Sequence, residues 1–147
     1  MNRLLFLLFL LPACGDAYNS PGPRPDGIDK YLAMFKADAA KYGRDFHPDD
    51  FTYSTVKSFD ADKRNLFFHT AARCVDLAHL EFNKAIWDAK SDLIRELYVY
   101  HELGHCFLHR EHKNSLDSIM IADVERLNES YKANRTKLVK ELFTGSN

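Results

Sequence analysis

The chain has 147 residues, of which 46% are hydrophobic and 28% charged, and its formal net charge at pH 7 is −1. This balance is typical of one globular domain with a modest core and argues against an intrinsically disordered chain. A net charge near zero gives no electrostatic reason to expect nucleic acid as a partner. Beyond the N-terminus, no apolar run approaches the about 20 residues that a membrane-spanning helix needs.

The N-terminus has the features of a secretory signal. One basic residue precedes an unbroken apolar run over residues 4–11, which is too short for a membrane span. The run ends in LPAC, which resembles the bacterial lipobox, where cleavage before the cysteine accompanies its diacylation. This predicts a signal peptide over residues 1–13, a lipid on Cys14 and, because Gly15 follows, anchoring in the outer membrane of a bacterial envelope. The alternative is an ordinary secreted protein without lipid.

Residues 14–26 contain three prolines and no apolar periodicity, which predicts an extended tether between the lipid and a domain over residues 27–147. The domain opens with an amphipathic helix, because apolar residues recur at three- and four-residue steps over residues 28–42. Asp26 is the expected N-cap of this helix, and Gly43 suits its C-terminal end.

Short strands are predicted where β-branched and aromatic residues are concentrated, over residues 51–59, 65–70 and 79–84. A second long helix is expected to begin at Ser91 or Asp92, and a third helix closes the domain. The elements indicate an α+β fold in which a short twisted sheet packs with an N-terminal, a central and a C-terminal helix.

Two cysteines remain if Cys14 carries lipid, namely Cys74 and Cys106. In an oxidising envelope such a pair is a candidate disulfide. The alternative is two buried thiols, because the sequence does not supply the geometry that decides between them.

The central helix contains His101-Glu102-Leu103-Gly104-His105, which is the H-E-x-x-H pattern of zinc-binding helices. Residues four apart lie one turn along the same face, so both imidazoles can reach one ion, and apolar residues at the same spacing direct them toward the sheet. Glu102 is rotated by about 100° and can take a proton from a zinc-bound water, whose pKa falls toward about 7. Packing alone would leave the buried ring nitrogens without partners.

A catalytic zinc commonly has three protein ligands and keeps a fourth position for water. His109 continues the four-residue series, but on an unbroken helix it would lie about 12 Å along the axis from His101. The chain must therefore leave the helix near residues 108–110 and fold back, which makes Glu111 or His112 the natural third ligand.

The stretch over residues 92–121 resembles the metzincin metallopeptidases, whose signature H-E-x-x-H-x-x-G-x-x-H is followed by a methionine turn. The resemblance implies that His101 and His105 bind zinc and that Glu102 is the general base. It also implies that Met120, in Ser-Ile-Met, lies beneath the metal.

Two positions depart from the signature, because Leu108 stands in place of its glycine and Glu111 in place of its third histidine. A one-residue insertion restores the pattern, with His109 at the glycine position and His112 as the third ligand. Histidine tolerates a left-handed backbone, though less well than glycine. We therefore expect His112 to complete the site.

The resemblance further implies one zinc ion, hydrolysis of a peptide or protein substrate, and pairing of that substrate with an edge strand, for which residues 66–70 are the candidate. A monomer is expected. One alternative is a gluzincin-like peptidase in which Glu125 is the third ligand, although this leaves His112 and Met120 without roles. Another is a non-catalytic, metal-stabilised binding or scaffold lipoprotein, which would have no use for Glu102.

Overall fold

The computed structural model describes residues 23–57, 59 and 71–146. These residues form four α-helices and a three-stranded sheet, so the expected mixture of helices with a small sheet is confirmed. The helices are α1 (Ile28–Lys41), α2 (Lys84–Ala89), α3 (Asp92–Cys106) and α4 (Asn128–Thr144), and the strands are β1 (Thr52–Val56), β2 (Ala72–Cys74) and β3 (His79–Asn83). Short 3-10 segments precede β1 and α4, at Pro48–Asp50 and Val124–Leu127.

Three predictions fall on residues outside this description: the signal peptide over residues 1–13, the lipid on Cys14 with most of its tether, and the strand over residues 65–70 with its substrate-binding edge. They stay predictions. Within the described ranges, no helix is both long and apolar enough to cross a membrane.

The sheet has the strand order β1-β3-β2. Its central strand β3 runs parallel to β1 and antiparallel to β2. Leu80 and Phe82 of β3 are fully buried, whereas His79 and Glu81, which alternate with them, are only partly buried, as the alternation in the sequence predicted. Strand β2 was not predicted, because three residues are too few to show an alternating pattern.

Helix α1 buries the predicted apolar stripe, whose most buried members are Ile28, Tyr31, Leu32, Phe35 and Ala39. The prediction of Asp26 as its N-cap is wrong. Gly27, at φ 71°, directly precedes the helix and no side chain caps it. The backbone carbonyl of Asp26 instead accepts a hydrogen bond from the Trp87 indole at 3.2 Å. Gly43 follows the helix at φ 69°, as expected of a glycine at a helix end.

Helix α3 lies at the centre of the fold and is buried along most of its length. Strands β2 and β3 and helices α1 and α4 all contact it. An aromatic cluster around Phe35 of α1 joins three of the helices, since its ring lies 5.1 Å from those of Tyr100 in α3 and Phe143 in α4. Aromatic contacts of this kind contribute beyond the area that they bury, so α3 is firmly held.

Candidate metal centre

The chain reverses direction directly after α3. His109 has φ 54°, in the left-handed region, which is the conformation expected for a residue at the signature's glycine position. The backbone N–H of the next residue, Arg110, then donates to the carbonyl of Gly104 at 2.8 Å. This bond ends the helix and turns the following residues back toward the face that carries His101 and His105.

The reversal brings His112 to the two histidines of α3. The Nε2 atom of His101 lies 3.2 Å from Nε2 of His105 and 3.2 Å from Nε2 of His112. The ligand atoms of all three residues lie within 4.8 Å of one another. Nitrogens bound to a tetrahedral zinc at about 2.0–2.1 Å are about 3.3 Å apart, so this spacing is close to that of zinc ligands.

The other ring nitrogens of the two α3 histidines are held by backbone carbonyls. Nδ1 of His101 lies 2.8 Å from the Ile119 oxygen, and Nδ1 of His105 lies 2.6 Å from the Arg110 oxygen. Because a carbonyl can only accept, each Nδ1 carries a proton, and in the neutral ring each Nε2 then offers a lone pair. Two lone pairs 3.2 Å apart cannot form a hydrogen bond. A cation between them removes this conflict, so the residues fit a metal ion.

Burial favours the neutral, metal-binding form of these rings. Burial lowers the pKa of His101 to about 3, although the hydrogen bond with Ile119 opposes it. Burial likewise lowers the pKa of His105. His101 is buried, His105 is half-buried and His112 is exposed, so the centre opens to solvent on the His112 side.

The sequence directed both α3 histidines toward the sheet, whereas their hydrogen-bond partners belong to the loop that follows the helix. Glu102, between them in the sequence, does contact the sheet, because one position along a helix changes the face by about 100°. Its Oε2 accepts the backbone N–H of Cys74 in β2 at 2.8 Å. Burial raises the pKa of Glu102 to about 7, and the bond from Cys74 opposes that rise.

Cys74 and Cys106 form a disulfide, which was the first of the two alternatives that the sequence left open. The bond joins β2 to the residue directly after His105. Since the backbone of the same Cys74 donates to Glu102, the disulfide also holds the strand from which this carboxylate is bound. The disulfide therefore fixes β2 against the end of α3 and, through the Cys74 N–H, helps to position the Glu102 carboxylate.

Met120 lies against α3 at Gly104 and is fully buried. A Cβ atom built on Gly104 would collide with the Met120 sulfur, so a glycine is needed for this close approach. The methionine is fixed in turn by its loop, since its carbonyl accepts the Lys113 N–H at 2.8 Å. Sequence reasoning found Met120 but gave no role to Gly104.

Sequence reasoning also missed Glu141, which holds the loop of His112 from α4. Its Oε1 accepts from Arg110 at 2.9 Å and from Lys113 at 3.0 Å, and its Oε2 accepts from Ser118 at 2.7 Å. Burial raises the pKa of Glu141, but these three hydrogen bonds outweigh it and the net pKa is lowered. The residues on both sides of His112 are thus fastened to one carboxylate.

The remaining candidate ligands do not join the three histidines. Glu125 accepts a hydrogen bond from Tyr98 at 2.7 Å and forms an ion pair with Lys90 at 2.8 Å. Neither His109 nor Glu111 belongs to the group of converging ligand atoms in the part of the chain that the structure describes. The third position therefore falls to His112.

Comparisons of the chain with protein-family models, with curated proteins and with solved structures found no match. What the structure itself defines is a mixed α/β domain with three converging histidines that could hold a metal ion.

Proposed function

We propose that this chain is a zinc-dependent metallopeptidase with a metzincin-like metal site. The observation that carries the proposal is the convergence of three Nε2 atoms, from His101, His105 and His112, at spacings of 3.2 Å around His101. Three imidazoles are a donor set that suits zinc. No fourth protein ligand joins them among the described residues, and catalytic zinc sites characteristically keep such a position for water.

A zinc ion held by His101, His105 and His112 would supply a Lewis acid that polarises a peptide carbonyl and lowers the pKa of water. Glu102 adjoins His101 on the helix and is held by the N–H of Cys74. Its carboxylate accepts a proton from the water that attacks the scissile carbonyl carbon, and it delivers that proton to the amine nitrogen as the C–N bond breaks. The products are a new carboxylic acid and a new amine.

Three features support the likeness to metzincins in particular. His109 has the left-handed conformation required at the signature's glycine position, His112 then returns to the first two histidines, and Met120 lies against the same helix. The gluzincin-like alternative lacks comparable support, because the carboxylate of Glu125 is bonded to Tyr98 and Lys90.

We further propose that the enzyme acts in a bacterial envelope as a monomer, anchored by lipid on Cys14. This rests on the apolar run and LPAC tetrapeptide of the N-terminus. The disulfide between Cys74 and Cys106 supports an oxidising compartment, since such bonds persist outside the cytosol. Its substrate would therefore be a peptide or protein of the periplasm or cell surface.

The test removes the base while leaving the metal ligands intact. Glu102→Gln retains an oxygen that can accept the Cys74 N–H. We expect zinc-loaded wild-type protein to cleave an unfolded substrate such as reduced casein, and Glu102→Gln to bind equal zinc but lose about 100-fold or more of the rate. Glu129→Gln, at an exposed position of α4, is the matched control and should cleave normally. Zinc binding without any Glu102-dependent cleavage would favour the metal-stabilised binding protein instead.

A further inference from the structure

We propose that Val75 and Leu77, in the turn between β2 and β3, form an apolar rim that binds an apolar side chain of the substrate beside the scissile bond. This inference rests on the proposed function and adds a substrate preference to it. Val75 is 49% exposed and Leu77 is 59% exposed. Large apolar side chains exposed together leave surface in water that a bound ligand would cover.

The rim shares a groove with one of the three histidines of the metal centre. The groove has a volume of about 500 Å³ and joins the turn to the end of α3, with the lining residues Cys74, Val75, Asp76, Leu77, His105, His109 and Arg110. One of these, His105, is a proposed zinc ligand. A peptide whose carbonyl reaches an ion at His105 would have its neighbouring residues close to this groove, where the rim can contact one of their side chains.

The charged residues of the groove are engaged elsewhere, which favours an apolar occupant over an acidic one. The Arg110 side chain is only 5% exposed, and its guanidinium donates to the Leu142 carbonyl at 2.7 Å and to Glu141 at 2.9 Å. The carboxylate of Asp76 accepts the Ala78 N–H at 3.3 Å and is thus turned toward its own backbone. Val75 and Leu77 are the large apolar side chains among the residues that line the groove, and both are exposed.

The turn holds Leu77 in a conformation that leucine seldom adopts. Its φ of 67° is left-handed, which is strained for a side chain other than glycine or asparagine. The neighbouring bonds maintain it, since the Val75 N–H donates to the His79 carbonyl at 2.9 Å and the disulfide fixes Cys74. A rim that is already rigid loses little conformational entropy when a ligand binds, so its position favours recognition.

The experiment compares peptides that differ only by Leu or Asn beside the cleaved bond, after mass spectrometry of casein digests has located that bond. We expect wild-type protein to prefer the leucine peptide, and Val75→Thr/Leu77→Asn to lose about tenfold of this preference in kcat/KM. Asparagine tolerates the left-handed backbone and threonine has the shape of valine, so the turn should persist. Met34→Gln, at an exposed apolar position of α1, is the matched control and should keep the preference.

Binding of both peptides to zinc-loaded Glu102→Gln protein gives a second readout that does not need turnover. The rim variant should bind the leucine peptide about tenfold more weakly and the asparagine peptide with unchanged affinity. If the rim variant kept the preference in cleavage and in binding, the proposed role of the rim would be wrong, while the proposed peptidase activity would stand. A wild-type protein that cleaves nothing would overturn the peptidase, and the binding comparison would then decide the rim by itself.

Discussion

Two polar networks attach α4 to the rest of the molecule: one joins it to other helices, and the other joins it to the loop that carries His112. Arg135 binds Asp38 of α1 and Glu96 of α3, each at 2.7 Å, so this first network joins helix to helix. Glu141, six residues later, binds the loop that carries His112 through three side chains: Arg110, Lys113 and Ser118. One helix therefore both closes the core and positions a proposed metal ligand.

The two networks differ in how much other support their partners have. The helices joined by Arg135 are also held by a core in which the ring of Phe35 packs against Tyr100 and Phe143. By contrast, none of residues 111–117 is buried, so the segment around His112 has no apolar anchor of its own. Stability and metal affinity should therefore depend on different residues of α4.

Removing the cation of the first network should have the largest effect on stability. Arg135→Met leaves the carboxylates of Asp38 and Glu96, whose side chains are 6% and 9% exposed, without their shared guanidinium. We expect the free energy of unfolding, measured by urea titration of the metal-free protein, to fall by about 3 kcal/mol. The zinc Kd should stay within about twofold. A large loss of zinc affinity in this variant would show that the two networks are not separable.

Neutralising the second network should act mainly on the metal. Glu141→Gln weakens the bonds to Arg110, Lys113 and Ser118, which lie on both sides of His112. Partners that orient metal ligands typically contribute 10- to 100-fold to affinity, so we expect the zinc Kd, measured by competition with a chelator, to rise by about tenfold or more. The loss in unfolding free energy should be only about 1 kcal/mol. An unchanged Kd would contradict the role given to Glu141.

Acid should weaken the first network in a predictable direction. Burial raises the pKa of Asp38, but hydrogen bonds from Lys41, Tyr100 and Arg135 outweigh it, and the pKa lies below its ordinary value of 3.8. A lowered pKa in the folded state means that the carboxylate stabilises the protein above pH 3.8 and that this contribution is lost as the pH falls through the folded-state pKa. Urea titrations between pH 7 and pH 3 should show a smaller acid loss in Asp38→Asn than in the wild type.

The smallest effect is expected at an exposed ion pair that joins the same helix to the same loop. Lys137 and Asp117 are 2.8 Å apart, and their side chains are 66% and 77% exposed. Lys137→Ala should change the free energy of unfolding by less than about 0.5 kcal/mol and leave the zinc Kd unaltered. An effect as large as that of Glu141→Gln would mean that any contact between α4 and the loop supports the site.

Local patterns in the sequence were sufficient for three of the four helices, α1, α3 and α4, and for two histidines, whereas the six-residue helix α2 was not predicted. The apolar stripe of α1 and the pair His101 and His105 depend only on the 3.6-residue period, which a single sequence displays. The prediction of Asp26 as the N-cap was wrong because Gly27, in a left-handed conformation, is the residue directly before the helix. The Trp87 indole holds the Asp26 backbone carbonyl in the same turn, and capping rules do not include such long-range partners.

The supporting residues of the site were harder to find because their roles arise in the folded chain. Glu141 is about 30 positions from the loop that it holds, and no pattern around it marks it. Gly104 did carry a signal, since a glycine inside a helix costs about 1 kcal/mol relative to alanine and suggests a close approach. The missing Cβ lets the Met120 sulfur pack directly against the helix at Gly104.

Equilibrium zinc binding to the wild type, His112→Ala and Glu125→Ala measures whether His112, and not Glu125, is the third metal ligand. We expect one zinc ion per wild-type chain, since three converging histidines form the site. Loss of a direct ligand should weaken binding by more than the about 100-fold typical of an outer partner, whereas Glu125→Ala should bind as the wild type does. If His112→Ala bound zinc with wild-type affinity, His112 would not be a metal ligand and the proposed three-histidine site would be wrong.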